Sequence, residues 1–379
     1  MNKLFPGKGT GARLLEAFAA SSALVSVAVV ALGFLVATVL LLLIGRNPAG
    51  MYEAIVQVVS GFDIRPGRGG WNPRHIGEWV MLSSPLILCG LSMAFAFRTG
   101  LFNIGAEGQY IVGLTFAQIM AHSFPPIPAL HQIVAVSSGV MAGAIWGGIV
   151  GFFKARYRVS EVVATIMMNY IALFGHRVIT LRLPGALPHR TPDFPQTATL
   201  ASPILSALTN GSRLNHALWL TIAAVVAYWL IMEKTKLGYS LRATGFNRDA
   251  ALYGGINVKA NITAAMGIAG GFAGLAGATV ALGLFGHGWV LQSFIGYGFE
   301  GIAVALVGNS TALGVALAGL LFGMLRSAQP IMQIRQIPME ITSIIVGLVV
   351  IFISLRAGMR LLIDKRMKER VRREKEEDA

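Results

Sequence analysis

The chain of 379 residues is 55% apolar and only 13% charged. Soluble globular chains carry about 25% charged residues, so this composition excludes one and places the chain in a bilayer. The net charge of +14 does not point to nucleic acid, because Lys and Arg gather in short loops and in the tail, the positive-inside pattern. Cys89 is alone in an apolar run, which excludes a disulfide or a Cys-based metal site and reads as a small buried hydrophobe.

In chain order, Lys3, Lys8 and Arg13 precede an uncharged run too long for a signal h-region. Residues 1–20 therefore read as a cytoplasmic tail and 21–44 as a retained first transmembrane helix. Residues 49–61 carry Met51, Ile55, Val58 and Val59 on one helical face and read as an amphipathic helix on the outer surface. Further spans are expected at 76–97, 102–121, 132–153, 162–180, 217–232, 261–285, 296–307, 313–325 and 341–355. The eighth and ninth are short and joined by the turn Gly308-Asn309-Ser310-Thr311, so nine to eleven crossings are open. Residues 182–216 are rich in Pro, Thr and Ser; a docking site for a binding protein and a solvated loop are both open there. Gly139, Gly143, Gly147 and Gly151 in the fourth span form a small-residue packing face, as do Gly267 and Gly271, or Gly270 and Gly274, in the seventh.

With the N-terminus inside, 21 of the 31 Lys and Arg fall on the inner side, although Arg46, Arg65, Arg68 and Arg74 in the first outer loop run against the rule. The expected fold class is an all-α polytopic membrane protein of about ten transmembrane helices, with two pseudo-repeated halves and both termini cytoplasmic. The transmembrane domain covers 21–356, with a basic cytoplasmic loop at 233–260, and residues 357–379 form a charged, solvated tail.

Two stretches carry the chemistry. Residues 98–113 hold Gly100, Gly105, Gly108, Asn103 and Glu107 between apolar segments, and Gly105-Ala-Glu107-Gly108 is answered 193 positions later by Gly298-Phe-Glu300-Gly301. Glycine- and acid-interrupted segments in both halves point to a translocation path on an internal repeat. Residues 233–259 form a basic loop in which Asn247 caps a short helix, Asp249 sits in its first turn, and Gly254 and Gly255 stop it. Such a helix suits insertion into a partner's groove; an ordinary lipid-facing basic loop is the alternative.

The run Gly238-Tyr-Ser-Leu-Arg-Ala-Thr-Gly-Phe-Asn-Arg-Asp-Ala-Ala-Leu-Tyr-Gly-Gly-Ile resembles the coupling segment of ABC importer permeases of the sugar, branched-chain amino acid and nucleoside group. The stretches beginning at Phe97, Ser160 and Gly296 resemble the nucleoside, basic-membrane-protein-associated branch. The resemblance implies a permease subunit, without enzymatic activity or cofactor of its own, in a bacterial inner membrane. Its implied partners are an ATP-binding subunit, a second permease and an extracytoplasmic substrate-binding protein. The chain has no Gly-x4-Gly-Lys-Ser/Thr phosphate loop, in keeping with ATP hydrolysis in a partner. Arg242, Gly245, Asn247, Asp249, Ala250, Ala251 and Gly255 are the expected ATPase-coupling residues. Asn103, Glu107, Gln109, Asn169, Tyr170, Tyr297 and Glu300 are the candidate substrate pathway, with amides and hydroxyls for a ribose or base and aromatic faces for a flat ring. The competing reading is that Glu107 and Glu300 cap helix starts. A sugar or branched-chain amino acid importer, and a stand-alone proton-coupled carrier using the two acids, are the alternatives.

Overall fold

The computed structural model describes residues 22–63, 70–338 and 340–352. Lys3, Lys8, Arg13, Arg65, Arg68 and the charged tail 357–379 lie outside the described residues. The chain divides into two compact units, residues 1–48 with 338–379, and residues 49–337.

In the smaller unit, α1 (Ser22–Leu43) is an uncharged apolar run. Gly45 takes φ 73°, and the amides of Gly45 and Arg46 donate to the carbonyls of Leu42 and Leu41 at 3.0 and 2.8 Å, which closes the helix. Gly33 packs on Val349 of the last described helix, Glu340–Phe352.

The larger unit opens with α2 (Ala49–Ser60) and an antiparallel ribbon of β1 (Phe62–Asp63) and β2 (Gly70–Trp71). Then come α3 (Arg74–Arg98), α4 (Ala106–Ser123), α5 (Leu130–Tyr157), α6 (Glu161–Thr180), β3 (Arg190–Asp193) and α7 (Pro203–Leu208). α8 (Ala217–Trp229) runs into a π-turn at Leu230–Lys234, followed by α9 (Lys236–Phe246), α10 (Arg248–Tyr253) and α11 (Val258–Gly283). β4 (His287–Trp289), α12 (Tyr297–Val307) and α13 (Ala312–Ile334) complete it. Each of the ten expected spans holds a helix. Seven of the described helices are long and apolar enough to cross a bilayer, and the chain is a multi-pass membrane protein.

Helices α3, α4 and α11 form the buried centre. Without a hydrophobic drive between helices in lipid, close backbone approach carries the packing. The seam between α5 and α11 uses the expected glycines: a Cβ at Gly143, Gly147 or Gly274 would overlap the carbonyl oxygen of Gly270, Met266 or Gly139. Of the two registers on α11 the fold uses Gly270 and Gly274; an atom added at Gly271 would have its nearest neighbour 3.7 Å away. An aromatic trio, Phe95, Tyr228 and Phe272, joins α3, α8 and α11 with centroids 5.8–6.2 Å apart.

Four expectations are corrected. Helix α4 starts at Ala106 rather than 102, because Asn103 spends its side chain on neighbours and 101–105 stays irregular. Helix α13 continues to Ile334, so α12 alone of the eighth and ninth segments is short; the charge of Arg326, where the apolar run breaks, is met by Glu300. Helix α2 buries Met51, Ala54, Gln57 and Val58 against α3 and α13 while Val59 is exposed, so its inner face packs on protein. Gln57 enters because His75 (3.2 Å) and Arg335 (3.1 Å) hydrogen-bond it. Residues 182–216 are folded onto the helix ends rather than merely solvated. There β3 pairs with β4, Phe194 N donates to Gly286 O at 2.7 Å, Leu200 N to Leu282 O at 2.9 Å, and Arg213 grips Glu78 at 2.7 Å.

Candidate functional site

The two glycine- and acid-bearing motifs meet in space. Glu107, fully buried in the first turn of α4, accepts the amides of Gly296 (2.8 Å) and Gly298 (2.7 Å) on its two oxygens. These amides open α12 and have no acceptor within that helix. A carboxylate there also complements the positive end of the helix. Gly296 turns the chain in at φ 92°, and a Cβ on Gly298 would overlap the backbone of Glu107. Glu107 thus caps a neighbour's helix, not its own. Helix α4 is served instead by Asn169, whose Oδ1 accepts from Gly108 N at 2.8 Å while its Nδ2 donates to Ile104 O at 3.1 Å.

Glu300 sits in the first turn of α12 and pairs with Arg326 of α13 at 3.1 Å. The Arg326 guanidinium also donates to Ile295 O at 3.3 Å and lies 4.0 Å above the Tyr297 ring, a charge over a π-face. Asn103 and Gln109 are buried and pair amide to amide at 2.9 and 3.0 Å, with Asn103 donating also to Ser92 at 3.3 Å. Tyr297 is buried, its ring 5.7 Å from that of Tyr110. Six of the seven pathway candidates therefore gather about the starts of α4 and α12. The seventh, Tyr170, is 48% exposed on α6, its ring 5.2 Å from Phe294 and 6.4 Å from Phe174. The sequence pattern does not reach Arg326, because the apolar run of the ninth span ends at residue 325; the lone Arg between Leu325 and Ser327 is its only signal there.

The coupling candidates form an elbow of α9 and α10. Asn247 Oδ1 accepts from Asp249 N and Ala250 N, both at 3.0 Å, and Gly255 closes α10 at φ 80°. Arg242 folds back to donate to Met232 O and to Glu233 (3.1 Å), which also holds Arg98 at 2.8 Å. Gly245 packs against Arg98 O and the backbone of Gly100, itself at φ 69°, and Arg248 donates to Gly100 O at 3.2 Å. Ala251 is buried and Ala250 exposed. Arg242, Gly245, Asn247 and Ala251 therefore shape the elbow, and the surface it presents is Phe246 (91% exposed), Leu252 and Tyr253 (93%). Large side chains just before the Asn247 cap and at the end of the short helix are the sequence signal for these three.

Residues 75–354 match the family described as branched-chain amino acid transport system, permease component. A guanosine ABC transporter permease protein of Bacillus subtilis is 40% identical over 323 residues, covering 83% of this chain and 93% of its own length. A nucleoside ABC transporter permease protein of Lactococcus lactis is 34% identical over 349 residues, 90% of this chain and 93% of its own. A glucose ABC transporter permease protein of Haloferax volcanii is 31% identical over 290 residues, 73% of this chain and 75% of its own. Similarity over that length, taking in the crossed motifs and the capped elbow alike, makes the chain a member of the branched-chain amino acid transport system permease family.

Proposed function

We propose that this chain is the permease subunit of an ATP-driven nucleoside importer in the bacterial plasma membrane. It pairs with a second permease, binds an ATPase subunit at the elbow and receives nucleoside from an extracytoplasmic binding protein. The nucleoside assignment is supported by the names of the two relatives similar over most of both chains. Ten crossings over 21–356 with both termini cytoplasmic put the elbow on the ATPase side, the side rich in Lys and Arg.

The observation that carries the reading is the elbow itself: three large side chains held outward, Phe246 at the end of α9 and Leu252 and Tyr253 on the Asn247-capped α10. Pressure on α10 reaches Gly100 through the Gly245 contact and the Arg248 bond, and from there residues 101–105, which lead into α4. Glu107 then draws the start of α12 with it. In this reading Asn103, Gln109 and Asn169 brace the moving joint, while Tyr170, Tyr297 and Glu300 belong to the path. A stand-alone proton carrier is disfavoured, since Glu107 is held by two amides and Glu300 by an arginine.

The test is to extract the tagged chain from membranes, identify what accompanies it, and assay guanosine and uridine uptake in proteoliposomes. The expected result is co-recovery of an ATP-binding subunit and a second permease, with uptake that requires ATP. Uptake by the chain alone would sink the reading. The Haloferax relative supports a second reading, a sugar importer, and strong competition by free glucose or ribose would favour it.

A further inference from the structure

Glu300 and Arg326 are not sealed inside: their side chains keep 32% and 21% of their exposure. Arg326 lies about 12 Å from the end of α13 and about 21 Å from its start at 1.5 Å per residue, well inside a helix of spanning length. A partly exposed ion pair facing acyl chains at that depth is costly, so this face opens on water or protein rather than lipid. A chain of rings ends at the residue before Glu300. Phe294 lies 5.2 Å from Tyr170 and 5.7 Å from Phe299, both edge-on, and Tyr170 stacks on Phe174 at 6.4 Å. Phe299 precedes Glu300 in the same turn and is 38% exposed. Arg326 uses Oε2 of Glu300; among the described residues no donor reaches Oε1.

We infer that Tyr170, Phe174, Phe294, Phe299 and Glu300, with Arg326 as the positioning residue, form this chain's contact surface for the nucleoside in transit: the rings take the base and the free oxygen of Glu300 accepts the ribose hydroxyls. The inference rests on the nucleoside reading above and goes further in fixing what is recognised. A flat heterocycle gains from aromatic faces and edges. A vicinal diol gains from a carboxylate acceptor already held in place by arginine. The Glu300–Arg326 pair is neutral as a unit, so the part of the surface that meets the ribose carries no net positive charge.

The test uses the complete importer in proteoliposomes, with ATP inside the reaction and saturating binding protein. Uptake of uridine is compared with that of 2′,3′-dideoxyuridine for the wild type and for Glu300→Gln. The binding protein is common to both, so its own preference cancels in the comparison. Glu300→Gln is expected to cut the preference for the diol about tenfold, the effect of one lost charge-assisted hydrogen bond. Phe294→Ala is expected to slow uridine uptake about tenfold, Phe294→Tyr to restore it, and Trp219→Ala, an exposed ring on α8, to change nothing. Protein level in the membrane normalises each rate. If Glu300→Gln keeps the wild-type diol preference and Phe294→Ala the wild-type rate, the contact surface is elsewhere although the importer carries nucleosides. If the wild type carries glucose and no nucleoside, the functional reading itself falls, and this one with it.

Discussion

Glu107 shows what a single residue does at depth in this fold. Its two oxygens satisfy two amides that would otherwise open α12 without acceptors in a buried setting. Hydrogen bonds to a charged group contribute about 1.5–3 kcal/mol each, so Glu107→Ala is expected to cost about 3–5 kcal/mol, and Glu107→Gln, which keeps one carbonyl acceptor, about half of that. The measurement is the midpoint of thermal aggregation in detergent, where Ala should fall well below Gln and Gln below wild type. Three equal midpoints would remove the cap from the account. The sequence shows both acid motifs and offers helix capping as a reading of each. It does not show that Glu107 caps the other motif's helix, because its partners stand 189 and 191 positions away. Nor does it pair Glu300 with Arg326, since a hydropathy window treats a lone arginine as the end of a span. Desolvated charge at depth calls for a partner, and the partner is found only in three dimensions.

At the scale of elements, the α5–α11 seam was legible from its four-residue glycine spacing, but its register was not. Gly267 and Gly271 repeat with the same period as Gly270 and Gly274, and only the rotation of α11 decides between them. The choice has a direct consequence. Gly274→Ala drives a methyl into the Gly139 carbonyl and is expected to cost about 1–3 kcal/mol, as overpacking does. Gly271→Ala has room, and the higher helix propensity of Ala is expected to leave stability unchanged or raise it by up to about 1 kcal/mol. Folded yield and aggregation midpoint in detergent separate the two. A loss from Gly271→Ala with none from Gly274→Ala would reverse the register. The elbow follows the same division between readable pattern and unreadable rotation. Asn247 and the stop at Gly255 were plain in the sequence, whereas Ala251 faces inward and Phe246 and Tyr253 outward only once α9 has folded back on Glu233. A charge at Ala251 therefore tests folding, and a charge at Tyr253 tests docking. Tyr253→Glu is expected to leave the chain in the membrane while removing the ATP-binding subunit from a pull-down and abolishing uptake. Normal co-recovery and uptake would place the ATPase contact elsewhere.

At the scale of the whole molecule, two features of the charge distribution bear on sidedness and pull in opposite directions. The Lys and Arg count places the elbow inside, while Arg46 and Arg74, together with the loop arginines at 65 and 68, load the first expected outer connection. The larger unit has two chemically distinct ends. One carries Arg98, the α9–α10 elbow and the turn at Ser310, which accepts from Tyr228 at 2.7 Å. The other carries the 182–216 segment, stitched to β4 and to Glu78. An importer driven by a cytoplasmic ATPase needs the first end inside, which predicts that the four arginines lie outside. Introduced cysteines decide the matter cleanly, because the single native thiol, Cys89, is fully buried. Ala207→Cys on the exposed side of α7 is expected to react with a membrane-impermeant thiol reagent in intact cells. Tyr253→Cys, in the chain made without its ATPase so that the elbow is uncovered, is expected to react only in inverted vesicles. The reverse pattern would put the elbow outside, where no ATPase can reach it, and the coupling mechanism would have to be abandoned together with the positive-inside assignment.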